Sequence, residues 1–398
     1  MIKRALQSSL MKIARSYPVV TLTGPRQSGK TTLVRAAFSG HDYASLEDPD
    51  IRSFALEDPR GFLSQYRDPV ILDEVQRAPD LFSYIQTIVD QTGSPGRFIL
   101  TGSQNFLLLR SISQSLAGRS AVLHLLPFSL AELSGRQSLP LSSIGRTLPR
   151  VKTPPRIDLM DTLFRGFYPR IHDKNLDPQQ WLGNYYRTYV ERDVREIVNV
   201  GDIESFSRFV RLCAGRNGQL LNLSALGNDA GITHTTARRW LSILEASFIV
   251  TLLRPYHRNF SKRLIKSPKL YFLDTGLLCY LLRIRSPESL QIHGMRGAIF
   301  ESFVLSELIK NALNRGDEPN LYFWRDSTGH EIDVVIEFGE GATALEIKSG
   351  QTIAGDFFSG LRFWRELVGE KAASAALVYG GDQSFEREGI TVYRWSDL

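Results

Sequence analysis

The chain has 398 residues, 42% hydrophobic and 23% charged, with a formal net charge of +6 and a pI near 9.2. That length exceeds what one core serves, so two or three domains are expected; no apolar run reaches the roughly 18 residues that span a bilayer, and the basic balance permits a polyanionic partner. Cys213 and Cys279 lie in apolar surroundings without metal-ligand spacing and Met1 to Lys12 reads as an amphipathic helix, so two buried thiols and a cytoplasmic location are expected.

Val19 to Leu22 reads as a buried strand running into Gly24-Pro25-Arg26-Gln27-Ser28-Gly29-Lys30-Thr31, a complete G-x-x-x-x-G-K-[ST] phosphate loop, and Thr32 to Ala37 is helix-compatible. Two glycines let successive N–H groups face phosphate oxygens, and the helix N-terminus adds partial positive charge. Gly24 to Thr32 is therefore the expected cradle of a nucleotide, with Lys30 on the β- and γ-phosphates and the Thr31 hydroxyl on Mg²⁺. Leu46-Glu47-Asp48-Pro49 recurs as Leu56-Glu57-Asp58-Pro59, and both copies read as helix boundaries.

Pro69 to Glu74 is an apolar run ending in two carboxylates, the pattern of a buried parallel strand. Asp73 is placed for the Mg²⁺ shell and Glu74 for the attacking water, so ATP hydrolysis is expected. The next strand, Arg97 to Thr101, ends at Gly102-Ser103-Gln104-Asn105, where Ser103 and Gln104 are candidates to sense the γ-phosphate; a plain polar turn is the alternative. Arg119, after Gly118, is a candidate arginine finger supplied to a neighbouring subunit.

Residues 1–135 alternate strand-like and helix-like segments, as an α/β phosphate-loop domain should. Ser134 to Arg156 carries Pro140, Pro149, Pro154 and Pro155 and reads as a linker or exposed excursion, so 136–180 is assigned to a linker or lid. Residues 181–280 form the next expected domain. Its first part, around Trp181, Tyr185, Tyr186 and Tyr189, has helical spacing of core residues. From Leu223 to Leu241 a helix capped by Ser224, a turn at Gly231 and a second helix capped by Thr233 make a helix-turn-helix. Ala237, Leu241 and Leu244 share the inner face of the second helix, leaving Thr235, Arg238 and Arg239 for DNA. Phe248 to Leu253 and Leu270 to Leu273 are strands flanking a loop with Arg254, His257, Arg258, Lys262, Arg263, Lys266 and Lys269 and no acidic residue. A winged helix with a basic wing is expected, Tyr256 and Phe260 being suited to stacking on a base or sugar.

Residues 281–398 hold a third set. Glu301 lies on an apparent helix, Ala298 to Asn311, Asp333 heads the strand Val334 to Ile336, and Glu346-Ile347-Lys348 lies on the next strand. Side chains alternate faces along a strand, so Glu346 and Lys348 point the same way. Asp333 and Glu346 can share Mg²⁺, with Glu301 nearby and Lys348 placing a water, a set suited to phosphodiester cleavage; a charged outer hairpin face is the alternative.

With these residues assembled, the chain resembles a prokaryotic AAA+ ATPase family whose C-terminal domain is known as DUF4143. The resemblance rests on Gly24 to Thr31, Ser45 to Pro49, Leu72 to Glu74, Leu100 to Ser103, Ser115 to Arg119, Tyr189 to Val194 and the Glu331 to Lys348 region, and covers nearly the whole chain. It implies an α/β phosphate-loop core with a parallel sheet, then a winged helix, then an α/β domain like those of restriction endonucleases and archaeal Holliday-junction resolvases. It also implies ATP with Mg²⁺, a homo-oligomer such as a ring of about six, and action on DNA, branched or Holliday-junction DNA included. Glu191-Arg192-Asp193 match the family pattern without an assigned role. The alternatives are a nucleotide-dependent switch assembling with a protein partner, an ATP-coupled Mg²⁺-dependent nuclease, and a non-cutting clamp.

Overall fold

Apolar runs buried on both faces build a parallel sheet. The computed structural model describes residues 2–66, 69–103, 115–148, 157–190, 203–256, 266–339, 341–369 and 373–398. In it α1 (Gln7–Ala14) precedes β1 (Val19–Thr23), and α2 (Lys30–Ala37) follows the phosphate loop. Then come β2 (Asp42–Ser45), α3 (Pro49–Glu57), α4 (Pro59–Ser64), β3 (Val70–Asp73), α5 (Leu81–Thr92), β4 (Phe98–Gly102) and β5 (Ser120–His124). Among the described residues the order is β2-β3-β4-β1-β5, every pairing parallel. β1, β3 and β4 are buried along their whole length, each aliphatic side chain contributing about 2 kcal/mol. The chain goes from β1 to β2 at one edge and from β4 to β5 at the other, a switch in strand order that opens a ligand crevice at the carboxyl ends. Both Leu-Glu-Asp-Pro copies start helices: Asp48 accepts the Asp50 N–H at 3.0 Å, Asp58 accepts the Gly61 N–H at 2.8 Å, and each proline follows its cap.

The short helix α6 (Leu130–Leu133) has a reciprocal capping box between Ser129 and Glu132. The proline-bearing stretch after it is docked at its middle and exposed at Arg146, Thr147 and Leu148. Ile144 is buried, its carbonyl accepts from Thr343 Oγ1 at 3.2 Å, and the Gly145 N–H donates to the Tyr393 hydroxyl at 3.0 Å. Proline removes donors but leaves carbonyls and neighbouring side chains able to dock, and residues 149–156 lie outside the described residues.

Helices α7 (Leu159–Arg165), α8 (Pro169–Asp173) and α9 (Pro178–Tyr185), a π-helical turn at Tyr186–Val190 and α10 (Ile203–Gly215) lead to the helix pair α11 (Leu223–Ala230) and α12 (His234–Ala246). Asn222, not Ser224, caps α11, taking the Ala225 N–H at 3.0 Å; a cap must precede the first turn, and Ser224 lies inside it. Gly231 ends α11 at φ 73°, and Thr233 caps α12 by accepting the Thr236 N–H at 3.2 Å. Ala237, Leu241 and Leu244 are buried, with Trp240 edge-on to Phe206 at 5.3 Å and Phe209 at 5.5 Å.

β6 (Val250–Pro255), β7 (Lys269–Phe272), α13 (Thr275–Leu281), α14 (Pro287–Gln291), α15 (Arg296–Arg315), β8 (Leu321–Arg325), β9 (Glu331–Phe338), β10 (Gly341–Lys348), α16 (Ser359–Val368), β11 (Ala373–Tyr379), β12 (Phe385–Arg387) and β13 (Ile390–Arg394) follow. Their described strands form one mixed sheet, β12-β13-β11-β10-β9-β8-β6-β7. β6 pairs antiparallel with β7 and parallel with β8, so the hairpin after α12 is part of the C-terminal sheet. One apolar core reaches from Leu126 to Leu398.

Candidate nucleotide site and C-terminal charge cluster

The phosphate loop follows β1 with little room for side chains. Gly24 has φ 153°, and a Cβ there would stand 2.2 Å from the Leu125 carbonyl oxygen. Gln27 and Gly29 are also left-handed, at φ 63° and 92°. Pro25 and Ser28 are buried, Arg26 is partly buried, and Gln27 and Thr32 are exposed. Lys30 is buried and donates from Nζ to the Gly24 and Pro25 carbonyls, both at 2.9 Å. Burial pushes its pKa down to about 8, against the upward pull of Glu74 and Asp73.

Asp73 at the end of β3 gathers three hydroxyls. Thr31 Oγ1 and the Tyr43 hydroxyl each donate to Oδ2 at 2.9 Å, and Thr101 Oγ1 donates to Oδ1. Burial, then the Asp73 charge, pushes the Tyr43 phenol up to about 12. The next residue, Glu74, is left-handed at φ 55°, which turns its carboxylate toward β4. There Ser103 Oγ donates to Glu74 Oε2 at 2.8 Å and Gln76 Nε2 donates to the same oxygen at 2.5 Å. Lys30, Thr31, Asp73, Glu74 and Ser103 therefore meet at the carboxyl ends of three adjacent strands, as the sequence suggests. The Thr31 hydroxyl and Asp73 carboxylate are hard oxygen donors that fit a Mg²⁺ ion. Gln104 lies outside the described residues. Tyr43 and Thr101 carry no signal in their own stretch of sequence, because their contacts with Asp73 close across the sheet.

Arg119 stands at the other end of the sheet. Its carbonyl accepts the Val19 N–H at 3.3 Å at the start of β1, while the loop follows Thr23 at the strand's far end, roughly 13 Å away at strand rise. Its guanidinium pairs with Asp90, NH2 donating to Oδ2 at 2.9 Å. Contact with its own chain's phosphate loop is out of reach.

In the C-terminal sheet the expected residues do converge. Lys348 Nζ lies 2.8 Å from Glu346 Oε2 and 3.7 Å from Asp333 Oδ2, and Asp333 Oδ2 also accepts the Ile347 N–H at 2.8 Å. Glu301 accepts from the Tyr271 hydroxyl and lies 3.5 Å from Lys269 Nζ. Burial, then the Asp333 charge, pushes Glu301 up to about 7 and Glu346 well above the carboxylate range. Lys269 and Lys348 balance part of this charge, Asp333 and Glu346 standing together on Lys348; among the described residues no group of three or more His, Cys, Asp or Glu could hold a metal ion. Cys213 and Cys279 are buried free thiols, pushed up in pKa by burial.

Two of the expected DNA-facing residues are elsewhere. Lys269 is buried and ion-paired with Glu331 and Glu301, so it is not available to phosphates; a basic loop free of acids in sequence acquires them in space from a later helix and strand. Tyr256 is buried between Tyr322 at 5.6 Å and Trp364 at 6.1 Å, so it does not present a stacking face. Thr235, Arg238, Arg239, Arg254 and Lys266 are exposed. His257, Arg258, Phe260, Lys262 and Arg263, like Glu191, Arg192 and Asp193, lie outside the described residues. Among the described residues no helix is long and apolar enough to cross a membrane.

Residues 16–134 match the family described as AAA domain, and residues 156–288 and 296–398 match two domains of unknown function, DUF8612 and DUF4143. Uncharacterized protein Rv2008c of Mycobacterium tuberculosis is 33% identical over 384 residues, 96% of this chain and 81% of that protein. Uncharacterized protein MJ1544 of Methanocaldococcus jannaschii is 22% identical over 356 residues, 83% of this chain and 74% of that protein. Among solved structures, a Walker-type ATPase of Pyrococcus abyssi aligns over 71% of this chain and 96% of its own, at TM-score 0.43 and 14% identity.

Proposed function

The chain belongs to the family that joins an AAA domain to a C-terminal DUF4143 domain, and on that premise we propose that it is a cytoplasmic ATPase that hydrolyses ATP with Mg²⁺ and acts on DNA. The observation that carries the reading is the meeting of Lys30, Thr31, Asp73, Glu74 and Ser103 around one crevice. Gly24 to Gly29 present backbone N–H groups to the phosphates, and Lys30 leaves the loop carbonyls for the β- and γ-phosphate oxygens. Thr31 and Asp73 would hold the Mg²⁺ that neutralises phosphate charge. Glu74, aimed by Ser103 and Gln76, orients the attacking water and takes its proton. Arg119 acts on a neighbouring subunit's nucleotide in a ring of about six, since its own loop is out of reach.

The DNA half of the proposal rests on the exposed Thr235, Arg238 and Arg239 of α12, whose other face buries Ala237, Trp240, Leu241 and Leu244. ATP turnover measured with single-stranded, duplex, forked and four-way DNA, with cleavage followed in the same tubes, tests the whole reading. Turnover raised by one of these DNAs and lost in Lys30→Ala is expected. No turnover under any condition overturns the ATPase, and turnover indifferent to every DNA favours a nucleotide switch with a protein partner.

The lysines seated on Glu301, Glu331, Asp333 and Glu346 favour a second reading, in which the C-terminal domain is a clamp that binds DNA without cutting it. Mg²⁺-dependent cleavage lost in Asp333→Asn would overturn that reading.

A further inference from the structure

One guanidinium joins three distant segments. Arg4 Nε donates to Glu132 Oε1 at 3.0 Å, one terminal nitrogen to the Ser28 carbonyl at 2.6 Å and the other to the Leu126 carbonyl at 2.7 Å, and the group lies 4.9 Å over the Phe128 ring. The Arg4 and Glu132 side chains are 8% and 2% exposed. A charge pair this buried persists only where its donors are satisfied, and here each nitrogen of the fork has a partner. Ser28 belongs to the phosphate loop. Peptide planarity makes the consequence direct: with the Ser28 carbonyl held by Arg4, the Gly29 N–H of the same peptide plane must point the opposite way.

The contact continues into the C-terminal sheet domain. Glu132 also accepts the Ala5 N–H at 2.7 Å and the Ser129 N–H at 2.8 Å, which fixes the first turn of α6. From that turn the Leu130 N–H donates to Glu307 Oε2 at 2.8 Å, and Glu307 Oε1 accepts from Lys310 at 2.9 Å. Glu307 lies on α15, the helix that also carries Glu301 at the charge cluster.

We infer that Arg4 is a positioning residue of the nucleotide site, and that Glu132 and Glu307 tie the phosphate loop to α15, so that nucleotide binding is felt at the C-terminal cluster. The inference rests on the nucleotide-binding reading above. Arg4 acts through the Ser28 peptide and touches no phosphate. Lysine keeps the charge for Glu132 but lacks the planar fork needed to reach Ser28 and Leu126 at once.

The test compares the full-length protein with Arg4→Lys in three measurements: binding of a fluorescent ADP analogue, thermal unfolding without nucleotide, and hydrogen exchange across residues 296–313 with and without Mg-ADP. Arg4→Lys is expected to unfold within about 4 °C of wild type. It is expected to bind the analogue about tenfold more weakly, as loss of a charge-assisted bond to the loop implies, and at saturating nucleotide to lack the exchange change that wild type shows in 296–313. A merely structural Arg4 would lower the unfolding midpoint and leave the affinity of the folded protein intact. Wild-type affinity in Arg4→Lys overturns the positioning role, and wild type with no nucleotide-linked change in 296–313 overturns the tie to α15. Wild type that binds no nucleotide overturns the ATPase reading as well, which separates the two failures. Should Arg4→Lys not fold, Glu132→Gln, which removes one acceptor oxygen, makes the same comparison with the same expected outcomes.

Discussion

The hydroxyl of Ser103, at the tip of β4, donates to the Glu74 carboxylate at 2.8 Å, so the residue that aims Glu74 belongs to a different strand from Glu74 itself. Ser103→Ala should therefore leave nucleotide affinity within about twofold and lower kcat about tenfold, because Gln76 still holds the same oxygen. Glu74→Gln should keep ATP bound and lose turnover, whereas Lys30→Ala should lose tight binding. Equilibrium binding and steady-state hydrolysis on the same preparations check all three, and full turnover in Glu74→Gln would remove that residue from the chemistry.

Thr101 serves both acidic residues, donating to the Asp73 carboxylate at Oδ1 and accepting the Glu74 backbone N–H at 3.4 Å. Thr101→Val keeps the shape and removes both bonds inside a buried strand. The protein should lose about 1–3 kcal/mol of stability in denaturant titration, and turnover should fall more than binding.

Mixing Arg119→Ala with Glu74→Gln subunits should restore part of the activity that each variant lacks alone, at interfaces uniting an intact Arg119 with an intact Glu74. A monomer by light scattering with full turnover would exclude this arrangement. Breaking the Arg119 to Asp90 pair alone, by Asp90→Asn, should leave the thermal unfolding midpoint nearly unchanged, since the pair is exposed and screened by solvent.

Lys30 titrates near 8 in the folded chain against 10.5 as a free side chain. Between those values the unfolded chain binds more protons, so the folded state gains stability as pH rises from about 8 to 10.5. Nucleotide binding prefers the ammonium and should take up a proton. Affinity for ADP should fall with a limiting slope of about tenfold per pH unit above 8, and Lys30→Arg should flatten that slope. Calorimetry in buffers of different ionisation enthalpy reads the proton directly.

If α12 enters DNA, Arg238→Ala with Arg239→Ala should flatten the log-log salt slope for duplex binding by about two. Lys269→Ala should instead act on stability, because its partners are Glu301 and Glu331.

What the sequence made legible was contiguous. Gly24 to Thr31, Asp73, Glu74 and Ser103 stand in short motifs at strand ends, so period and spacing alone place them at one crevice. Arg4, Tyr43 and Thr101 are hidden because each earns its role from a partner in another element. Lys269 looked exposed for the same reason: its neighbours in sequence are basic, and its neighbours in space are acids from α15 and β9. The capping of α11 turned on a two-residue shift between Ser224 and Asn222, a choice that local propensity does not decide.

The edge-to-edge joining of β6 to β8 bears on how force would travel. Tyr256 N–H donates to the Phe323 carbonyl at 2.7 Å just beyond Pro255, which has no N–H to offer, so the ladder is carried past the proline. Twisting the hairpin against the C-terminal sheet would tear these bonds and the buried Tyr256 from Trp364. A torque applied to α12 would thus pass through β6 into β8 and the C-terminal sheet.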